Sequence, residues 1–170
     1  MGKVRDRWAE TAPHSLDSMA YMPYTQLGDQ GVTLDLRYDY EAIRWMQQNV
    51  QGSPVIVEAN CVEYHWCTRF TIYTGLPGVI GWNWHQRQQR AVTPSEWITD
   101  RVVQIGQFYL TSDPGETRAF LDRYDVEYII VGELERAYYP GVGLDKFAAL
   151  DGILWDKVYD NTETQIYKVK

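Results

Sequence analysis

The chain has 170 residues, enough for one globular domain that needs no disulfide or metal to hold its core together. It carries 16 Lys+Arg against 23 Asp+Glu, a formal net charge of -7 without any block of like charge, which disfavours nucleic acid as a partner. With 45% hydrophobic and 23% charged residues it is a folding sequence rather than a disordered one, and no window approaches the roughly 18 to 20 apolar residues of a membrane span.

Residues 1–37 lack a sustained period and read as an N-terminal arm packed on the core, with a loop at Gly28-Asp29-Gln30-Gly31. No targeting pattern opens the chain, and localisation cannot be read from the N-terminus. Residues 38–170 read as a single α/β domain. Asp39 is a plausible cap for a helix that places Ile43, Met46 and Val50 on one face, widened by Ala42 and Trp45, and that stops near Gly52. Pro54 to Ala59 is a short β-branched run, the pattern of a parallel strand covered on both faces. A second strand is expected at Gly78 to Trp82 and a third at Val126 to Val131.

Two helices lie between them. Thr93-Pro94-Ser95-Glu96 and Asp113-Pro114-Gly115-Glu116 each put a capping residue first, Pro next and Glu at the third helical position. Ile98, Val102, Ile105 and Tyr109 mark the buried face of one, and Ala119, Phe120 and Tyr124 that of the other. Leu144, Phe147, Ala148 and Leu150 suggest a short helix ended by Gly152. Ile153 to Tyr159 and Thr164 to Val169 then read as a hairpin turning around Asp160-Asn161. The expected architecture is a three-layer αβα sandwich, with about three parallel strands extended by a C-terminal antiparallel hairpin. Right-handed crossovers favour the order second, first, third, hairpin.

Ligands of open parallel sheets sit beyond the carboxyl ends of the strands. Those positions hold Glu58, Asn60, Cys61, Glu63 and His65 after the first strand. Trp82, Trp84, His85, Arg87, Gln88 and Arg90 follow the second, and Glu133, Glu135 and Arg136 the third. The segment from Gly81 to Arg90 alternates aromatic rings with amides and guanidinium groups, the groups that bind sugar hydroxyls and phosphates; its plainer reading is a Trp-capped turn entering a solvated helix. Partial burial would suit Glu58 to acid/base work, although a structural ion pair with a neighbouring Arg is more economical. Glu133 and Arg136 share a helical face and most simply pair with each other.

Cys61, His65 and Cys67 do not have a zinc framework around them: no CxxC occurs, and only His14 and His85 remain as imidazoles. A Cys61 to Cys67 disulfide is conceivable in an oxidising compartment, and two buried thiols are the commoner outcome. No nucleophile elbow, Walker loop or GxGxxG follows a predicted strand, and no cofactor is called for.

In order along the chain, Leu16 to Met22, Asp39 to Trp45, Tyr73-Thr74-Gly75-Leu76-Pro77, Gly81-Trp82 with His85, and Val131 to Arg136 resemble the C-terminal part of the YYY family. These are uncharacterised bacterial and archaeal multi-pass membrane proteins related in architecture to GT-C glycosyltransferases, which use polyprenyl-phosphate sugars. The resemblance spans roughly residues 15 to 169. It implies a soluble domain on the extracytoplasmic face of the membrane, tethered to the transmembrane portion of the same full-length protein. Its role would be accessory, recognising a lipid-linked sugar or glycan acceptor or docking on the membrane part. The GT-C catalytic acid lies in the membrane portion, so the resemblance assigns no catalytic residue here. The family reads His-Glu, one residue, Gln-Trp-Arg after Gly-Trp; His85, Gln88 and Arg90 match, whereas Gln86 and Gln89 replace the Glu and the Trp. Two other readings stand beside this one: a structural or protein-interaction module, and a small independent α/β enzyme using Glu58 and His85.

Overall fold

The computed structural model describes residue 13, residues 15–62 and residues 65–170. Most of the segment before Ser15, with His14, and Glu63 lie outside the described residues.

A 3-10 turn at Met22–Tyr24 leads into a hairpin of β1 (Gln26–Asp29) and β2 (Val32–Asp35), paired antiparallel from Gln26 opposite Asp35 to Asp29 opposite Val32. Of the loop expected at 28–31, only Gln30 and Gly31 form the turn, and Gly28 and Asp29 are paired in β1, in a hairpin whose strands are too short to show a period. Met19, Met22, Leu34 and Leu36 are buried in the main core. Helix α1 (Leu36–Asn49) follows directly, and its cap is Asp35, whose carboxylate accepts from Arg37 N at 3.1 Å. Asp39, the cap expected from sequence, lies one turn inside the helix and is buried.

The main sheet runs β3 (Val55–Val57), β4 (Val126–Val131), β6 (Gln165–Val169), β5 (Trp155–Asp160). β3 and β4 are parallel, and the other pairs are antiparallel. β4 is central and buried on both faces, with only Glu127 exposed, as a continuous apolar run requires. The expected second strand contracts to one parallel bridge between Gly78 and Ile56, carried by Ile56 N to Pro77 O at 2.9 Å and Val79 N to Ile56 O at 3.1 Å. Close approach explains the contraction. A Cβ on residue 78 would stand 2.7 Å from Thr71 Oγ1, and beyond it the Val79 and Gly81 carbonyls accept from Arg101 and Asn60 side chains instead of a strand. The expected sheet order survives with this bridge in the place of the second strand.

The remaining helices are α2 (Arg69–Thr74), α3 (Asn83–Gln89), α4 (Glu96–Leu110), α5 (Pro114–Tyr124), α6 (Glu133–Tyr138) and α7 (Lys146–Ala149). They complete a three-layer α/β sandwich. α4 starts after Ser95 rather than at Thr93, because Thr93 N closes a turn onto Arg90 O at 2.8 Å. α5 starts as expected, with Asp113 accepting from Gly115 N and Glu116 N. Phe120 is buried on α5 and Tyr124 partly so, but Ala119 faces solvent and Leu121 takes its place in the core.

Aromatic side chains pack the centre of the core. Phe108 stacks on Phe120 at 4.5 Å, Tyr109 on Tyr139 at 4.9 Å and Phe147 on Tyr167 at 5.6 Å, around a fully buried Trp155 that donates to Phe147 O at 2.9 Å. The Tyr109 hydroxyl donates towards Ile130 O (2.8 Å) and Val57 O (3.2 Å), and that of Tyr139 to Asn60 O (3.1 Å), so these buried rings keep their polar ends satisfied. Lys146 is buried against the end of α4, where its ammonium donates to the carbonyls of Phe108, Tyr109, Thr111 and Gly143. Burial lowers its pKa to about 8.

Candidate ligand-binding cleft

The carboxyl ends of β3 and β4 are where a ligand was expected, and protein fills them. Ala59 N and Gly132 N, which follow the two strands, both donate to the Glu135 carboxylate at 2.8 Å. Glu135 in turn holds Arg69, which also donates through Nε to Asp39 Oδ2. Trp66 Nε1 reaches the same Asp39 oxygen at 2.7 Å. Burial alone would raise the Glu135 pKa, but the Arg69 charge and hydrogen bonds, with the Ala59 and Gly132 N–H groups, outweigh it and hold the carboxyl below its usual range.

Glu58 belongs to the same buried cluster. Only 5% of its surface is exposed, Phe70 N and Thr71 N donate to its two oxygens at 2.9 and 2.8 Å, and Arg69 Nη1 stands 3.8 Å away. Burial, only partly offset by Arg69 and the two N–H groups, pushes its pKa up to about 7. Buried, and with both oxygens engaged at the start of α2, Glu58 is held as a structural carboxylate would be.

Cys61 and Cys67 form a disulfide rather than two thiols, which also removes them as metal ligands. His65 in the enclosed loop places Nδ1 3.1 Å from Asp29 Oδ2, and the Tyr138 hydroxyl donates to Asp29 Oδ1 at 3.1 Å. Among the described residues, no group of three His, Cys, Asp or Glu side chains is arranged to hold a metal ion. Glu133 accepts from Asp35 N at 3.0 Å, whereas Arg136 pairs with Glu163 at 2.8 Å, so the expected Glu133–Arg136 pair does not form. Each finds a nonlocal partner that sequence spacing cannot show.

The remaining candidates cluster on α3. Trp82 precedes it, donates from Nε1 to Cys67 O at 3.3 Å and packs its ring 5.2 Å from that of His85, joining the helix to the disulfide loop. Trp84 is 53% exposed, and Gln88 is exposed beside it. Arg87 donates to Thr99 Oγ1 at 2.8 Å, pinning α3 to α4. Arg90, at the end of α3, lies over the Trp97 ring at 4.9 Å from its centroid. Arg101, one helical turn beyond Trp97, lies over the same ring at 5.3 Å and donates to Val79 O at 2.8 Å.

These groups and the backbone of residues 78–81 enclose a cleft of about 510 Å³ that also takes the Gln86 amide. Its size suits a mono- or disaccharide-sized ligand, and it is lined by an indole ring, two guanidinium groups and a carboxamide, with no acidic residue in its lining. A larger groove of about 700 Å³ lies between α4 and α5, but its acidic side chain, Glu116, is occupied by Thr111 Oγ1 at 2.6 Å, and it includes none of the expected residues. Of the sequence candidates, Arg90 lines the 510 Å³ cleft, while Trp84, His85, Arg87 and Gln88 lie on α3 and Trp82 just before it, outside the cleft lining. Trp97 and Arg101 were missed. Their spacing of four on one helix was visible, but a Trp at a helical position reads as core.

Among the described residues, no helix is long and apolar enough to cross a membrane. No family model and no curated protein matches the sequence. Among solved structures, the chain is similar to the C-terminal globular domain of an oligosaccharyltransferase (AfAglB-S2) from Archaeoglobus fulgidus. The similarity has a TM-score of 0.49 at 11% identity and covers 76% of this chain and 95% of that one. No residue, ligand or activity is transferred from it.

Proposed function

We propose that this chain is an accessory, extracytoplasmic domain of a multi-pass membrane protein of the glycosyltransferase-like YYY type, and that it recognises a glycan acceptor or a lipid-linked sugar without catalysing transfer itself. The observation that carries the reading is the α3–α4 cleft, in which Arg90 and Arg101, stacked on the Trp97 ring, and Gln86 offer planar hydrogen-bonding groups beside an indole. Aromatic faces pack on sugar C–H surfaces, while amides and guanidinium groups meet hydroxyls and phosphates. The ordered sequence resemblance to the YYY family supports the membrane tether. The Cys61–Cys67 disulfide supports an oxidising, extracytoplasmic location.

A test is titration of the 170-residue chain with neutral and acidic oligosaccharides and with polyprenyl-phosphate head-group analogues, followed by Trp fluorescence and repeated with Trp97→Phe. Saturable change that Trp97→Phe weakens is the expected result; no response to any compound at about 10 mM counts against a glycan site. Docking on the membrane portion is a second reading, favoured by Trp84 at 53% exposure on α3 and by Val92, fully exposed just beyond it.

A further inference from the structure

Arg37, Arg69, Arg118 and Arg136 each pair with a carboxylate. Arg90 and Arg101 do not: among the described residues neither is in an ion pair, although acidic residues outnumber basic ones 23 to 16 in the chain. Both guanidinium carbons instead lie within 5.3 Å of one Trp97 ring centroid. The ring attracts each cation, but the two cations repel one another, and an anion between them would relieve that repulsion. The backbone of residues 78–81 forms part of the same wall. The cleft therefore concentrates donors and positive charge and contains no carboxylate to compete for them.

Resting on the glycan reading above, we propose that the α3–α4 cleft selects a saccharide carrying an anionic substituent, a phosphate ester or a carboxylate. Arg90 and Arg101 clamp the anion, the Trp97 ring holds the two guanidinium groups in place, and Gln86 with the 78–81 backbone contacts the sugar hydroxyls. Specificity then lies in charge first and in sugar identity second.

Calorimetric titration of the 170-residue chain with glucose, glucose 1-phosphate, glucuronate and inorganic phosphate tests this. Glucose 1-phosphate or glucuronate is expected to bind at least about tenfold more tightly than glucose, with affinity falling as salt rises, and the stronger of the two identifies the anion. Arg90→Gln is expected to reduce that affinity about tenfold without shifting the melting temperature, because Arg90 is exposed and its side chain rests on the Trp97 ring at the surface; Arg101→Gln should weaken binding as well. Inorganic phosphate binding as tightly as glucose 1-phosphate would keep the anion site and overturn the glycan reading. Glucose binding as tightly as glucose 1-phosphate and glucuronate, with the affinity for all three undiminished in Arg90→Gln, would keep the glycan reading and overturn the anion clamp. Absence of binding by all three anions at about 10 mM would overturn it as well.

Discussion

Arg69 meets Glu135 in a two-pronged pair, Nη1 3.1 Å from Oε1 and Nη2 2.9 Å from Oε2, with both side chains fully removed from solvent. The pair closes the carboxyl ends of β3 and β4, because the same two oxygens take the N–H groups that follow those strands. The place where an α/β sheet ordinarily receives a ligand is thus sealed from within, and the open cleft is displaced to the edge of the sheet beside α3 and α4.

Removing one member should be costly. Arg69→Met leaves Glu135 and Asp39 as buried, uncompensated carboxylates, and a loss of about 3 to 5 kcal/mol is expected in urea denaturation. Arg69→Met combined with Glu135→Gln should cost less than the sum of the two single changes, since the second removes the charge that the first strands. Strict additivity would show that the two side chains are not coupled. Gly132→Ala should act on the same point, as its Cβ would stand 3.0 Å from Arg69 Nη2 and 3.2 Å from Glu135 Oε2.

Glu58 gives stability a defined pH dependence. Its folded pKa of about 7 lies above the ordinary 4.5, so the folded chain holds the proton more tightly than the unfolded one. The contribution is complete below about 4.5 and is lost as pH rises through about 7, on the order of 3 kcal/mol across that window. Glu58→Gln mimics the protonated form and cannot ionise. Its stability deficit relative to the native chain should therefore shrink between about pH 5 and pH 8 in denaturant titrations. A deficit that stays constant over that range would show that Glu58 does not titrate there.

The Cys61–Cys67 disulfide closes a loop of sequence separation 6 whose residues anchor three other parts of the fold, through His65 to Asp29, Trp66 to Asp39 and the Cys67 carbonyl to Trp82. Loop-closure entropy for so short a loop is about 2 kcal/mol, which lowers the melting temperature by roughly 4 to 8 °C when the bond is absent. Calorimetry of the oxidised chain, the reduced chain and the Cys61→Ser/Cys67→Ser variant measures it. Equal melting temperatures in all three would mean that the loop is held by its side-chain contacts alone.

Elements fixed by local chemistry were legible in the sequence. β4 occupies Val126–Val131 as its apolar run requires, α5 starts at Asp113-Pro114, and the hairpin turns after Asp160. The parts that escaped depend on partners far along the chain. Asp39 reads as the cap by sequence, but Arg69 and Trp66 claim its carboxylate inside the fold and Asp35 caps the helix instead. The second strand had the right residues, but crowding by Thr71 and the Arg101 and Asn60 side chains leaves it a single bridge. The Gly81 to Arg90 segment was located as the richest in binding groups, yet the cleft is completed by Trp97 and Arg101, which local sequence assigns to helix packing.

The most direct test of the α3–α4 cleft as a ligand site is an NMR titration of the isotopically labelled chain with neutral and acidic saccharides, reading the seven indole N–H signals and the backbone amides. The expected result is a saturable shift largest at the Trp97 indole and at the amides of Gly78 to Gly81, with the buried Trp155 indole unmoved. Shifts centred instead on Gln104, Phe120 and Arg123 in the α4–α5 groove, or no shift with any saccharide, would contradict it.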